Sequence, residues 1–172
     1  MKQISNRKNN VRGFTIVETL VAITILMIAI AGPLVAANRS LTAALYAKNQ
    51  AIASFLAMEE IELIRSYKDN TSNFSTFKNL CTSGSYCYAS WDNSGSIGYG
   101  QCNPIANSCK IYFNNSYGYT NLAVSTNTIF NRYYIFNEIS SNEVKVTAFV
   151  YWNEGKIPSE VRITSYMTDA SL

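Results

Sequence analysis

A chain of 172 residues has room for one compact domain and one further element, because domains commonly run ~100–200 residues. Its formal charge of +3 comes from 14 Lys and Arg against 11 Asp and Glu, yet Lys2, Arg7, Lys8 and Arg12 all precede residue 14, so the remainder sits near −1. That balance lacks the basic footprint of a nucleic-acid-binding domain and leaves room only for a local patch, while the absence of histidine removes the commonest member of acid–base and triad schemes.

The first element is a short basic leader ending at Gly13, with no acidic residue in it. Behind it, Phe14 to Ala37 is apolar, and Glu18 is its only charged residue. At ~1.5 Å per residue a helix of this length reaches roughly 36 Å, enough to cross the ~30 Å hydrocarbon core of a bilayer with some tilt. By the positive-inside rule the leader stays in the cytoplasm and the C-terminal part lies outside. A removed secretory signal is not expected, since a small-x-small cleavage site does not follow the apolar run. The carboxylate of Glu18 is the anomaly: an acidic group deep in a bilayer costs about 2.5–3.5 kcal/mol at the centre, and no Lys, Arg or His lies within the run to offset it.

A basic leader ending in Gly13, then Phe14-Thr15-x-x-Glu18 and about twenty apolar residues, resembles the N-terminal signal of type IV pilins and pseudopilins. The resemblance implies that a membrane-embedded prepilin peptidase cuts between Gly13 and Phe14 and methylates the new amine on Phe14. It also implies that Glu18 neutralises the amine of a neighbouring subunit during assembly. The implied partners are other pilin subunits, the peptidase, the membrane before assembly and an inner-membrane assembly platform. Gly32-Pro33 predicts a kink near Ala29 to Pro33, since an interior proline removes a hydrogen bond and clashes with the preceding turn.

Helix is predicted to continue to about Tyr67, with 14–37 as the membrane half and 38–68 as an amphipathic half. Leu41, Leu45, Ile52, Leu56 and Leu63 recur at helical spacing and form one apolar stripe, with alanines adding propensity. Glu59, Glu60 and Glu62 beside Arg65 read as a solvated or inter-subunit face. The turn-forming residues Asp69 to Asn73 end the helix. Residues 70 to about 127 are rich in Asn, Ser, Gly and Tyr and predict a loop-rich region with short β pieces at Tyr86 to Trp91 and Lys110 to Phe113. Its tyrosines serve either as half-buried packing or as an adhesive surface. Cys81, Cys87, Cys102 and Cys109 are even in number, fall in the exported part and match no common zinc spacing, so two disulfides are expected and no metal. Three pairings are open; short-range closure weakly favours Cys81 with Cys87 and Cys102 with Cys109.

Three strands follow at Ile129 to Ile139, Glu143 to Trp152 and Glu160 to Thr168. In the second, Val144, Val146, Ala148, Val150 and Trp152 share one face. An antiparallel meander with one apolar face needs a cover, and the stripe of residues 41 to 63 is the one available. The predicted class is therefore α+β: a leader at 1–13, a long helix, and an exported β-rich domain at 70–172. This architecture also resembles pilins, and the helix and the Val-rich strand look most like PilV-type minor pilins. No P-loop, Gly-x-Gly-x-x-Gly or Gly-x-Ser-x-Gly motif is present, so neither enzyme activity nor a cofactor is expected. Two function classes remain open at this point: a subunit of a pilus, secretion or DNA-uptake filament, and an uncleaved membrane-anchored binding module.

Overall fold

A computed structural model describes residues 15–91, 96–106, 108–116, 118–121, 126–154 and 157–169. Helix α1 spans Ile16–Asn70 as one element and runs through Gly32 and Pro33. The chain divides into two compact units between Leu45 and Tyr46, inside this helix.

In the N-terminal unit every described residue is exposed. Ile16, Val17 and Ile28 are 83%, 71% and 75% exposed, which water does not tolerate over a surface of this extent. The segment is long and apolar enough to cross a membrane. Two of its hydroxyls are satisfied along the helix, Thr19 Oγ1 donating to Ile16 O and Thr24 Oγ1 to Val21 O, each at 2.8 Å. Such internal satisfaction is what a hydrocarbon environment demands of polar side chains.

In the C-terminal unit, α1 from Tyr46 onward is followed by α2 (Phe74–Lys78) and by β1 (Cys87–Trp91), β2 (Ile97–Gln101), β3 (Lys110–Asn114), β4 (Gly118–Thr120), β5 (Thr126–Ser140), β6 (Glu143–Glu154) and β7 (Ile157–Thr168). Side chains close the end of α1: Asn70 Nδ2 donates to Ser66 O at 2.8 Å and Thr71 Oγ1 to Tyr67 O at 2.7 Å, which satisfies two of its last free carbonyls. Asn73 then caps α2 by accepting from the Ser75 N–H at 2.8 Å.

All described strand pairs are antiparallel, and β5 is the axis of the sheet. One edge of β5 pairs with β6 from Phe130↔Trp152 to Ser140↔Glu143, and β6 pairs in turn with β7. Two hairpins share its other edge, β3–β4 beside its first half and β1–β2 at Tyr134. The alternation expected of β6 holds, with Val144, Val146, Ala148, Val150 and Trp152 all buried. Their neighbours on the same face are Phe130, Arg132, Tyr134 and Phe136 of β5 and Met167 of β7.

α1 covers this face through Ala53, Leu56, Ala57, Glu60, Ile61 and Ile64, an i, i+3, i+4, i+7 stripe that small residues let approach closely. The cover thus begins later than the predicted stripe. Leu56 and Leu63 are buried and Ile52 half-buried, but Leu41 and Leu45 are 62% and 48% exposed. Both leucines precede the Leu45–Tyr46 division, and a helical period carries no mark of where along a rod the packing starts.

Cys81 is bonded to Cys87 and Cys102 to Cys109. The first bond ties the turn after α2 to the start of β1, and the second closes the loop between β2 and β3. The short elements α2, β2 and β4 were not expected from the sequence: each has at most five residues, too few to establish a period.

Candidate functional site

Two places in the chain set charge among apolar residues, and they are built differently. The first is the start of α1. Thr15 caps the helix, its Oγ1 accepting from the Glu18 N–H at 3.3 Å and its carbonyl from the N–H groups of Glu18 and Thr19 at 3.1 and 3.2 Å. Thr15-x-x-Glu18 has capping-box spacing, a signal present in the sequence that assembly arguments about Glu18 overlook. A carboxylate in the first turn also complements the positive end of the helix dipole. Among the described residues no salt bridge and no side-chain hydrogen bond reaches the Glu18 carboxylate, so its charge is free for an outside cation. Gly13 and Phe14, and with them the leader, lie outside the described residues.

The second is a buried cluster in the C-terminal unit. Arg132, on the inner face of β5, is fully buried. Its guanidinium meets Glu60 Oε2 through Nε at 2.7 Å and Glu59 Oε2 through Nη1 at 2.7 Å, and donates to Leu56 O at 3.2 Å and Ala89 O at 3.1 Å. Glu60 Oε1 accepts from the Ala89 N–H at 2.8 Å. One arginine therefore joins α1, β1 and β5. Two carboxylates share one cation here, so the ionised cluster carries a net negative charge. Burial pushes Glu60 up to about 7, against the pull of Arg132 and the Ala89 N–H, with Glu59 adding to the rise. Burial, then Glu60 itself, raises the neighbouring Tyr134, and Tyr99 goes up to about 12 through burial, Tyr67 and Glu60.

This corrects the sequence reading of Glu59, Glu60 and Glu62 as one solvated face. Only Glu62 behaves so, pairing with Arg65 at the surface; Glu60 is fully buried and Glu59 partly so. The reason is the helical period: residues 60 and 62 are about 200° apart around α1 and cannot share an environment. Arg132 itself was not foreseen. The only hint was a lone charge at an inward position of a strand otherwise reading Phe130, Tyr134, Phe136. Elsewhere, Glu138 pairs with Lys78 and Glu143 opens β6.

The geometry of the second cluster is structural: its guanidinium and carboxylates spend their polar atoms on one another and on the backbone of α1 and β1. The first lies within a recognisable sequence motif. Residues 8–32 match the family model described as the prokaryotic N-terminal methylation motif. No curated protein and no solved structure matches the chain. The motif match supports a type IV pilin-like precursor, a chain that assembles with other pilin-type subunits after peptidase processing.

Proposed function

We propose that the chain is the precursor of a minor pilin, a structural subunit of a type IV pilus-like filament, cut after Gly13 and N-methylated on Phe14. The observation that carries this reading is the exposed apolar helix starting within the methylation motif, with a single carboxylate at Glu18 in its first turn that has no ion pair among the described residues. Cleavage at Gly13 creates an α-amine with an ordinary pKa of about 7.7–8.0, cationic at neutral pH. On its own helix that cation faces the positive end of the dipole, which disfavours it. The Glu18 carboxylate of a neighbouring subunit offsets that cost, and pairing offsets the desolvation that neither charge bears well alone in an apolar bundle. Before assembly the helix anchors the chain in the cytoplasmic membrane with the leader inside and the disulfide-bearing domain outside. After assembly the same apolar surface forms the filament core, where Gly32-Pro33 supplies the point at which the helix yields.

The test is the N-terminal mass of the full chain co-expressed with a prepilin peptidase, beside a Gly13→Asp variant. A terminus at methylated Phe14, absent from the variant, is the expected result. A terminus still near Met1 despite an active peptidase makes the chain an uncleaved membrane-anchored module instead. Glu18→Ala is expected to be cleaved normally yet to enter filaments at least about tenfold less; incorporation at the parent level sinks the pairing role. Scarcity relative to other subunits in sheared filaments supports a minor pilin. Confinement to a secretion or DNA-uptake system supports the closely related pseudopilin.

A further inference from the structure

The outer face of the sheet, turned away from α1, carries aromatic rings where a solvated antiparallel sheet ordinarily shows polar residues. Tyr133 stacks on Phe149 with centroids 5.0 Å apart, Tyr86 meets Tyr133 edge-on at 5.1 Å, and the Arg162 guanidinium lies over Phe149 at 5.6 Å. The register explains the alignment, since Tyr133, Phe149 and Arg162 stand in one cross-strand row and Tyr151 and Glu160 in the next.

Beside these rows lies an open cavity of about 560 Å³, within the range of small-ligand sites, whose lining includes Tyr133, Tyr151, Pro104, Ile105, Glu160 and Arg162. It is preformed. The Cys102–Cys109 bond closes the loop bearing Pro104 and Ile105, and the Tyr151 hydroxyl donates to Pro104 O at 2.8 Å, fastening that loop to the sheet. Ile105 stands 94% exposed at the lip.

The charges on the rim decide what fits. Arg162 donates to Glu160 Oε1 through Nε at 2.8 Å and lies 2.7 Å from it through Nη2, so the two cancel and neither sign of ligand is favoured. What remains is Glu160 Oε2 as an acceptor next to further guanidinium N–H donors, above apolar and aromatic walls. Tyr133 is stacked on Phe149 and meets Tyr151 in a T-shaped contact at 6.2 Å, and both tyrosine rings line the groove, so its lining offers aromatic surface to a flat apolar face. A ligand complementary to this groove is uncharged, has one flat C–H face, and carries adjacent groups that both donate and accept.

We propose that the groove between the Cys102–Cys109 loop and β7 binds a neutral pyranose glycan, its C–H face on Tyr151 and neighbouring hydroxyls bridged to Glu160 and Arg162. The hydrogen bonds are charge-assisted on both sides.

The test uses the full chain solubilised in a polyoxyethylene detergent, so that no sugar headgroup competes. It is applied to immobilised lactose, N-acetyllactosamine, maltotriose and chitotriose, with 3′-sialyllactose and decaproline as separate arms. Retention on at least one neutral glycan, reversed by the free sugar and weakened at least about tenfold by Glu160→Ala, Arg162→Ala or Tyr151→Ala, is expected. Retention only on the sialylated sugar or on decaproline overturns the proposal, as does no retention, or parent-like binding by both rim variants. Glu160 and Arg162 are surface residues whose loss leaves the core untouched, so they decide the matter even if Tyr151→Ala fails to fold. The result stands apart from N-terminal processing: a chain that is never cleaved still carries this groove.

Discussion

Arg132 brings a fully buried guanidinium to two carboxylates and two carbonyls contributed by α1 and β1, so removing it strands Glu60 in the core without a cation. Breaking a buried pair from one side costs about 3–5 kcal/mol, and Arg132→Met is expected to show that loss in urea unfolding of the detergent-solubilised chain. Adding Glu60→Leu is expected to recover most of it, because the stranded charge and not the missing attraction dominates; a double variant as unstable as the single one refutes this. The same residue makes a pH prediction. Glu60 faces Arg132, Glu59, the Ala89 N–H and the tyrosines 99 and 134, and its pKa is raised from 4.5 to about 7. The folded state therefore holds this proton more tightly than the unfolded chain does. The contribution is fully present below about pH 4.5 and is lost as pH rises through about 7. Unfolding free energy followed from pH 5 to 8 is expected to fall by an amount on the order of 2 kcal/mol, and Glu60→Gln to flatten that slope. A slope unchanged in Glu60→Gln assigns the effect elsewhere.

At the scale of elements, α1 is one helix serving two environments. Leu56 is buried against the sheet and Leu41 is exposed, although both occupy the stripe that helical spacing defines. Leu56→Ala is expected to cost about 2–5 kcal/mol and Leu41→Ala to stay within about 0.5 kcal/mol in the same unfolding assay. Equal losses at the two sites would mean that the cover begins earlier than Ile52. The strands were legible where alternation ran long enough: β6, with five inward apolar residues in succession, needed no tertiary information, and β5 and β7 each begin three residues earlier than expected, β5 also ending one residue later. In contrast β2 reads Ile-Gly-Tyr-Gly-Gln and β4 Gly-Tyr-Thr, in which no period emerges. They are strands because β1 and β3 supply partners at Trp91↔Ile97 and Tyr112↔Thr120. Hydrogen-bonded neighbours, not intrinsic preference, make short strands.

At the scale of the molecule, the C-terminal unit from Tyr46 onward carries its own core, since the buried positions of α1 run from Ala53 to Ile64. A chain beginning at Tyr46 is expected to be soluble without detergent, to keep both disulfides and to unfold cooperatively, whereas one beginning at Tyr67 loses the whole cover of the inner face and is expected to aggregate. Failure of the longer form to fold alone would make the N-terminal half of α1 part of the domain's stability. Properties that repeat at short range can be read from the residues alone. These are the apolar run with its lone Glu18, the long helix, the alternating strands and the α+β class, because hydropathy and period are written into neighbouring residues. Which charges meet, where the helix begins to cover the sheet, and that outer-face aromatics line a groove follow instead from three-dimensional packing. Glu59 and Arg132 are 73 positions apart, and Tyr151 and Pro104 are 47 apart. Contacts at such separations depend on strand register and loop closure, which no local window of sequence contains.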